Sequence, residues 1–415
     1  MKKHLIIGTG AAGLSAMKQI RALSGEDEIR IATMEDTLPY SPTALPYLLS
    51  GKIEENYLWI VDEDHFKEMK CTFSPGKEVV KIAPEKKQVS YRDGSKEEYD
   101  TLLIGTGSEP VIPSIEGIKE IDVLGFHTIK DYQNLNSKLT QDTTVILYGG
   151  GLVAMGLAAG LIKRGCKVKL IVRSRILRRY FDPDAGSIIS DIFQNQGADM
   201  VLGREISKLS KEGKEIKVTL EDGSTLSGDV FVSCLGTRPR TSFLEDSGIT
   251  TDSSGGIPVD NHLMTNKESI YAAGDIAVAK DFFTGKPGIN AILPSAVEQG
   301  KVAGANMVGE STEYQGWISM NVFHFFHNGA CSMGIPENGK GTEVLKEQDK
   351  EKGWLKKLNF QDDRLVGAEF INIDVDPGVI LYLIKNRLNI GTNKELLFQK
   401  PVEASRWLMM KNERE

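Results

Sequence analysis

Two glycine runs carry the clearest chemistry in this sequence. Gly8-Thr9-Gly10-Ala11-Ala12-Gly13 follows the apolar segment His4-Leu5-Ile6-Ile7, and Gly149-Gly150-Gly151-Leu152-Val153-Ala154 follows Val145-Ile146-Leu147-Tyr148. Glycines between a strand and a helix let the backbone approach a pyrophosphate seated at the helix N-terminus. One such loop holds one dinucleotide. Two loops in one chain imply two dinucleotides, with electrons passing between them.

Other residues could finish those two sites. Glu35 stands just after the second strand, where an acid accepts hydrogen bonds from a ribose or, with Asp36, simply starts a turn. At the corresponding point of the second run the chain has Val172 and then Arg173-Ser174-Arg175-Ile176-Leu177-Arg178-Arg179. An NAD site usually has an acid there; arginines instead suit a 2′-phosphate, or form a solvated basic turn. NAD(H) and NADP(H) are both open.

The four cysteines (Cys71, Cys166, Cys234 and Cys331) are scattered, with no C-x-x-C and no spacing typical of zinc or iron–sulfur ligation. Cys166 and Cys234 lie in apolar segments and read as buried small hydrophobes in a reducing cytoplasm. No metal site is expected. His324 and His327, three apart in an aromatic run, could suggest a metal or proton relay, but on the strand read at 321–327 they would point to opposite faces, which favours core and interface packing.

The elements that must position these residues repeat. Leu14, Met17, Ile20 and Leu23 form an apolar helical stripe after the first loop. Strands follow at 28–33, 79–82, 88–91 and 101–104, and a Pro- and Gly-punctuated linker at 112–117. A second unit of the same kind has a strand at 144–148, a helix at 152–164, and strands at 167–172, 216–220 and 229–235. Each half ends in a strand plus glycine: Leu102-Leu103-Ile104-Gly105-Thr106-Gly107 matches Phe231-Val232-Ser233-Cys234-Leu235-Gly236. The stretch 243–312, with Gly274-Asp275 and a helix near 295–308, is read as the chain returning to complete the first domain. Residues 313–415 read as a small α+β domain with a charged hairpin at 346–360 and a helix near 379–387. The expected domains are therefore 1–112 with 243–312, then 113–242, then 313–415.

At 415 residues the chain can hold two or three cores. A net charge of -7 and a pI near 5.6 argue against a nucleic-acid or anionic-membrane partner. Met1-Lys2-Lys3 runs straight into the first strand, and no apolar run approaches a membrane span, so a cytoplasmic protein is expected.

The order of these motifs resembles the FAD-dependent pyridine-nucleotide oxidoreductases of the glutathione-reductase, NADH-oxidase and ferredoxin-reductase kind, over residues 1–312. The resemblance implies an α/β fold with two Rossmann-like domains plus the small C-terminal domain. It also implies that Gly8, Gly10, Ala12 and Gly13 cradle the FAD pyrophosphate and that Glu35 holds the adenosine ribose. Thr106 and Gly107 would bend close to the cofactor, Asp275 after Gly274 would bind the ribityl chain, and Ala296 would open the helix facing the flavin. Gly149, Gly151 and Ala154, with Arg173 and Gly236, would hold the nicotinamide dinucleotide. Thr43 and Ala44 lie in a loop expected to border the flavin.

Departures from the family matter as much. In Tyr40-Ser41-Pro42-Thr43-Ala44-Leu45-Pro46-Tyr47, Thr43 occupies the place of the redox cysteine of NADH oxidases and CoA-disulfide reductases. A hydroxyl cannot become a thiolate or half of a disulfide. Gly156 replaces the glutamate beside the nicotinamide, and Tyr47 stands about where a flavin-side lysine is expected. Direct hydride transfer, needing alignment but no protein nucleophile, is the mechanism left, and no catalytic residue is assigned.

The 41–51 loop and the C-terminal domain also resemble the flavoprotein subunits of phenylglyoxylate dehydrogenase and tungsten aldehyde oxidoreductase complexes. That implies an iron–sulfur partner within a larger complex, with NAD reduced by this chain, and it favours NAD against the arginine argument. The alternatives are a free-standing NADH oxidase or rubredoxin/ferredoxin reductase, and a flavin-binding redox-sensing interaction protein.

Overall fold

A computed structural model describes residues 1–335 and 341–413. The chain folds into two compact units. The first comprises Met1–Ser41, Glu54–Glu109 and Thr237–Ile318, and the second comprises Pro42–Ile53, Pro110–Gly236 and Ser319–Glu415.

The first unit is built on a parallel five-stranded sheet. Its order is Ile270–Ala272, Thr101–Ile104, Lys3–Ile7, Glu28–Ala32, Cys71–Ser74. The central strand is apolar on both faces because both are covered: Ile6 packs with the helices Ala11–Leu23 and Leu293–Val308, and Leu5 and Ile7 pack with Val79, Ile82, Val89 and Tyr91 of the antiparallel strands. The helix Ala11–Leu23 buries Leu14, Met17 and Ile20 against the sheet and lies along the helix Leu293–Val308. Those helices touch through small residues: a Cβ on Gly300 would fall 2.2 Å from the Ala12 carbonyl oxygen, and one on Gly304 2.7 Å from that of Ala16. Val79–Ala83 and Gln88–Tyr91 pair antiparallel, with Lys96–Glu98 alongside.

The second unit repeats the pattern. Ala198–Leu202, Lys167–Val172, Thr144–Tyr148, Val230–Ser233 and Val123–Leu124 form a parallel sheet in that order. An antiparallel trio, Ile206–Glu212, Glu215–Leu220 and Thr225–Gly228, accompanies it. The helix Pro183–Asn195, absent from the sequence reading, connects the strand Lys167–Val172 to its neighbour Ala198–Leu202.

The C-terminal part of this unit is an antiparallel five-stranded sheet, ordered Met320–Phe325, Asn328–Gly334, Arg364–Ile371, Trp354–Gln361, Glu343–Asp349. One expectation is corrected here. The strand does not run to His327: Phe325 pairs with Asn328, so Phe326 and His327 form a two-residue turn. Phe326 takes a φ of 54°, which breaks the strand alternation used to place the two histidines. Both histidines are exposed, while the neighbouring Phe325 stacks on Phe193 at 5.3 Å between ring centroids.

Candidate functional site: two glycine cradles

In the first unit the glycine requirement is steric. Gly8 has φ 106°, and a Cβ there would sit 2.2 Å from the Gly105 carbonyl oxygen; one on Gly13 would sit 2.0 Å from that of Gly8. Gly10 differs. It is the N-cap of the helix, and a Cβ there meets nothing within 4 Å. Gly8 and Gly13 thus close the turn, and Gly10 borders open space.

Around this cradle the chain gathers most of the residues singled out in the sequence. Gly274, at φ 82°, lies against Ala12 and Ala296, with its virtual Cβ 3.3 and 3.7 Å from theirs. The buried Gln299 side chain accepts the Gly274 N–H at 2.8 Å. Asp275 accepts a hydrogen bond from the buried Ser108 hydroxyl at 2.9 Å. Thr106 Oγ1 donates to the Arg240 carbonyl at 3.1 Å, and the Arg240 N–H returns to the Gly107 carbonyl. Glu35, half-buried after the second strand, accepts from the Tyr40 hydroxyl at 2.9 Å. Ser108 and Tyr40 escaped the sequence reading; a hydroxyl directly after Thr106-Gly107 was the available signal for Ser108.

The second cradle is a variation. Gly149, at φ 129°, would place a Cβ 2.2 Å from the Cys234 carbonyl oxygen, the counterpart of Gly8 against Gly105. Gly150 is pressed against Val172, while Gly151 and Gly236 border open space. Ala154 is fully buried in the helix Leu152–Lys163.

The basic run folds back on this loop, with the Leu177 N–H donating to the Gly150 carbonyl at 2.7 Å. Its arginines have different jobs. Arg175 donates to the carbonyls of Phe181, at 2.6 Å, and of Arg178 and Asp182, so it shapes the loop. Arg173 is exposed, and its Nε lies 3.3 Å from Glu205.

Helix ends supply the electrostatics. Helices Ala11–Leu23, Leu152–Lys163 and Leu293–Val308 have neither a side-chain cap nor an acid in the first turn. Every other described helix of eight residues or more has one: Thr128, Asp182 and Asp376 cap theirs, and Glu403 lies in the first turn of the last. An uncapped N-terminus carries about half a positive charge and several free N–H groups, which suit an anion. The open Gly10 and Gly151 backbones and these bare helix ends fit dinucleotide phosphates. A flavin, anionic when reduced, would suit the third.

Thr43 and Ala44 are not gathered with the first cradle's unit. Their short turn, Pro42–Ala44, belongs to the second unit, where the following helix Leu45–Leu49 packs on Leu152–Lys163. A Cβ on Gly156 would touch Pro46 at 3.4 Å, and one on Gly160 would stand 3.0 Å from the Pro46 carbonyl oxygen. A glutamate at 156 therefore has Pro46 in its path. Tyr47 packs under Lys52, whose Nζ is 4.9 Å from the ring centroid.

None of the four cysteines is poised for redox work. All are free thiols. Burial pushes Cys71, Cys234 and Cys331 up to about 12 and raises Cys166, so each stays protonated at neutral pH. No described helix is long and apolar enough to cross a membrane.

Comparison with known proteins agrees with this geometry. The sequence profile for pyridine nucleotide-disulphide oxidoreductases matches residues 2–300. The NADH-dependent phenylglyoxylate dehydrogenase subunit epsilon of Aromatoleum evansii is 33% identical, over 98% of this chain and 97% of its own. Putidaredoxin reductase, solved as a covalent complex with putidaredoxin, superposes with a TM-score of 0.88 at 22% identity, covering 100% of this chain and 99% of the other. An engineered water-forming NADPH oxidase bound to NADPH gives 0.85 at 24% identity, covering 94% and 92%.

Proposed function

Since the chain belongs to the pyridine nucleotide-disulphide oxidoreductase family, and is an NAD(P)H-dependent flavin oxidoreductase, we propose that it is the nicotinamide-linked subunit of a larger complex. In this reading FAD and NAD(P)H exchange a hydride, and electrons pass to or from an iron–sulfur protein or subunit. One observation carries it: two glycine cradles stand ready in a chain whose thiols are all held protonated.

FAD fits the first unit. Gly8, Gly10, Ala12 and Gly13 would take its pyrophosphate, Glu35 its ribose, and Asp275, steadied by Ser108, its ribityl hydroxyls. Thr106, Gly107 and Gly274 would border it, and the bare helix end at Ala296 would stabilise negative charge on the ring. Bound there, FAD supplies the conversion between hydride and single-electron chemistry. The residues themselves bind and orient. Thr43, lacking a thiol, leaves no route through a protein disulfide.

The partner reading draws support from the relative named as a dehydrogenase subunit. A reducing cytoplasm suits four free cysteines. Copurification of the untagged protein from its source, followed by metal analysis, tests it. An iron-containing chain that is reduced or oxidised through this protein supports the proposal; a lone flavoprotein turning over rapidly with oxygen overturns it in favour of a free-standing oxidase.

At the second cradle, Gly149, Gly151, Ala154 and Gly236 would hold the nicotinamide dinucleotide, and the basic run favours a 2′-phosphate. The engineered NADPH oxidase carries five substitutions: Gly to Ala, then, beginning 18 positions on, Asp-Ala-Met to Ala-Arg-Ser, and Pro to Arg five positions later. This chain has Ala154, then Val172-Arg173-Ser174, and Arg179 at the same spacing. Arg173, exposed and paired only at a long 3.3 Å with Glu205, is free to turn to a phosphate. Arg173→Glu is expected to weaken NADPH more than about tenfold while changing NADH little. Equal losses for both would discard the phosphate contact.

A further inference from the structure

A polar row crosses the C-terminal sheet of the second unit, buried at all positions but Lys346, which is exposed. Across the C-terminal sheet, Lys346, Lys357, Glu369, Ser332 and Asn321 stand opposite one another in register. Glu369 is 0% exposed and Lys357 2%. Two lysines facing each other repel unless an acid sits between them. Asp182, the N-cap of the helix Pro183–Asn195, does so: its Oδ2 accepts from Lys346 at 3.1 Å and Lys357 at 3.0 Å. Lys346 also reaches Asp184.

Glu369 completes the contact differently. Its Oε1 accepts the Asp182 backbone N–H at 2.8 Å, while its Oε2 is buried with no hydrogen-bond partner among the described residues. Among the described residues, two ammonium groups already stand against Asp182 and Asp184. An ionised Glu369 would be a third carboxylate, buried and in excess. A protonated one balances the cluster. Burial first, then the Asp182 charge, pushes Glu369 up to about 8, against the opposing pull of Lys357, the Asp182 N–H and Lys346.

Asp182 also ends the basic loop. Arg175 ties that loop to the Phe181 and Asp182 carbonyls, and Leu177 ties it to Gly150 in the glycine cradle. The loop is therefore pinned at one end to the cradle and at the other to Glu369.

We propose that Glu369 is a positioning residue through which one proton controls coenzyme affinity. Ionised, it competes with Asp182 for Lys357 and repels the Asp182 carboxylate, loosening the end of the loop. An anionic dinucleotide on the same loop favours the protonated form, and by linkage its binding draws a proton onto Glu369. The inference rests on the reading that residues 149–182 hold the nicotinamide dinucleotide.

Calorimetric titration of the flavin-loaded full chain with NAD⁺ and NADP⁺ between pH 6.5 and 9.5 tests both steps; the oxidised coenzymes leave the flavin undisturbed. Wild type is expected to lose at least about fivefold in affinity across pH 8. Binding at pH 8.5, compared in buffers of different ionisation enthalpy, should take up a proton. Glu369→Gln keeps the acceptor for the Asp182 N–H and should show neither effect. An identical pH profile in the variant, or no proton uptake by wild type, overturns the proposal; the second readout needs no variant to fold. Failure of wild type to bind either coenzyme at any pH overturns the dinucleotide assignment itself, and this inference with it.

Discussion

Arg173 and Arg175 are two residues apart and face opposite tasks. Arg175 donates to loop carbonyls, whereas Arg173 is exposed and pairs with Glu205 at 3.3 Å. Arg175→Ala is therefore expected to weaken NADH and NADPH alike, by severalfold, in the same binding assay in which Arg173→Glu discriminates between them. Glu369 makes a separate prediction. Its folded pKa lies above the unfolded one, so its contribution is fully present below 4.5, falls as pH rises from there, and is gone above about 8. Relative to Glu369→Gln, wild type should lose up to about 1.4 kcal/mol per pH unit within that window in urea unfolding. A constant difference from pH 5 to 9 would show that the residue does not titrate there. The sequence alone picks out Gly8, Gly13 and Gly149, because a fingerprint is a local statement about backbone clearance. It cannot pick out Ser108 beside Asp275, or Glu369 beneath Asp182, because those pairs are 167 and 187 residues apart.

Helices carry the phosphate-binding logic, and their ends and their faces can be tested apart. Gly300 lies where Leu293–Val308 crosses Ala11–Leu23, with its virtual Cβ 2.2 Å from the Ala12 carbonyl oxygen. Gly300→Ala should cost more than about 2 kcal/mol in urea unfolding, since backbone must move to admit the methyl. Gly10→Ala meets no protein atom and has an ordinary φ of -68°. It should unfold within about 1 kcal/mol of wild type yet lose flavin on gel filtration. Equal stability losses would mean that Gly10 serves the fold and not a ligand. Elements flanking the glycine runs are readable from sequence because a strand, a tight turn and an apolar helix each leave a periodic mark. The turn at Phe326-His327 is not, since nothing in an aromatic run announces a positive φ. The helix Pro183–Asn195 has a clear start in Asp182-Pro183, but the basic run before it drew attention to charge instead.

For the whole molecule, two parallel-sheet units with matching cradles suit the proposal of two dinucleotides in one chain, and four protonated thiols give it no electron store in sulfur. A family member with a redox cysteine pair takes up four electrons per chain, two in flavin and two in the disulfide. The four cysteines of this chain are free thiols. Anaerobic titration of the flavin-loaded protein with NADPH or NADH, followed at the flavin absorbance, counts those electrons directly. Bleaching should finish at one equivalent per flavin and be unchanged after alkylation of accessible thiols. Consumption of a second equivalent, or a flavin that neither coenzyme bleaches, would contradict it.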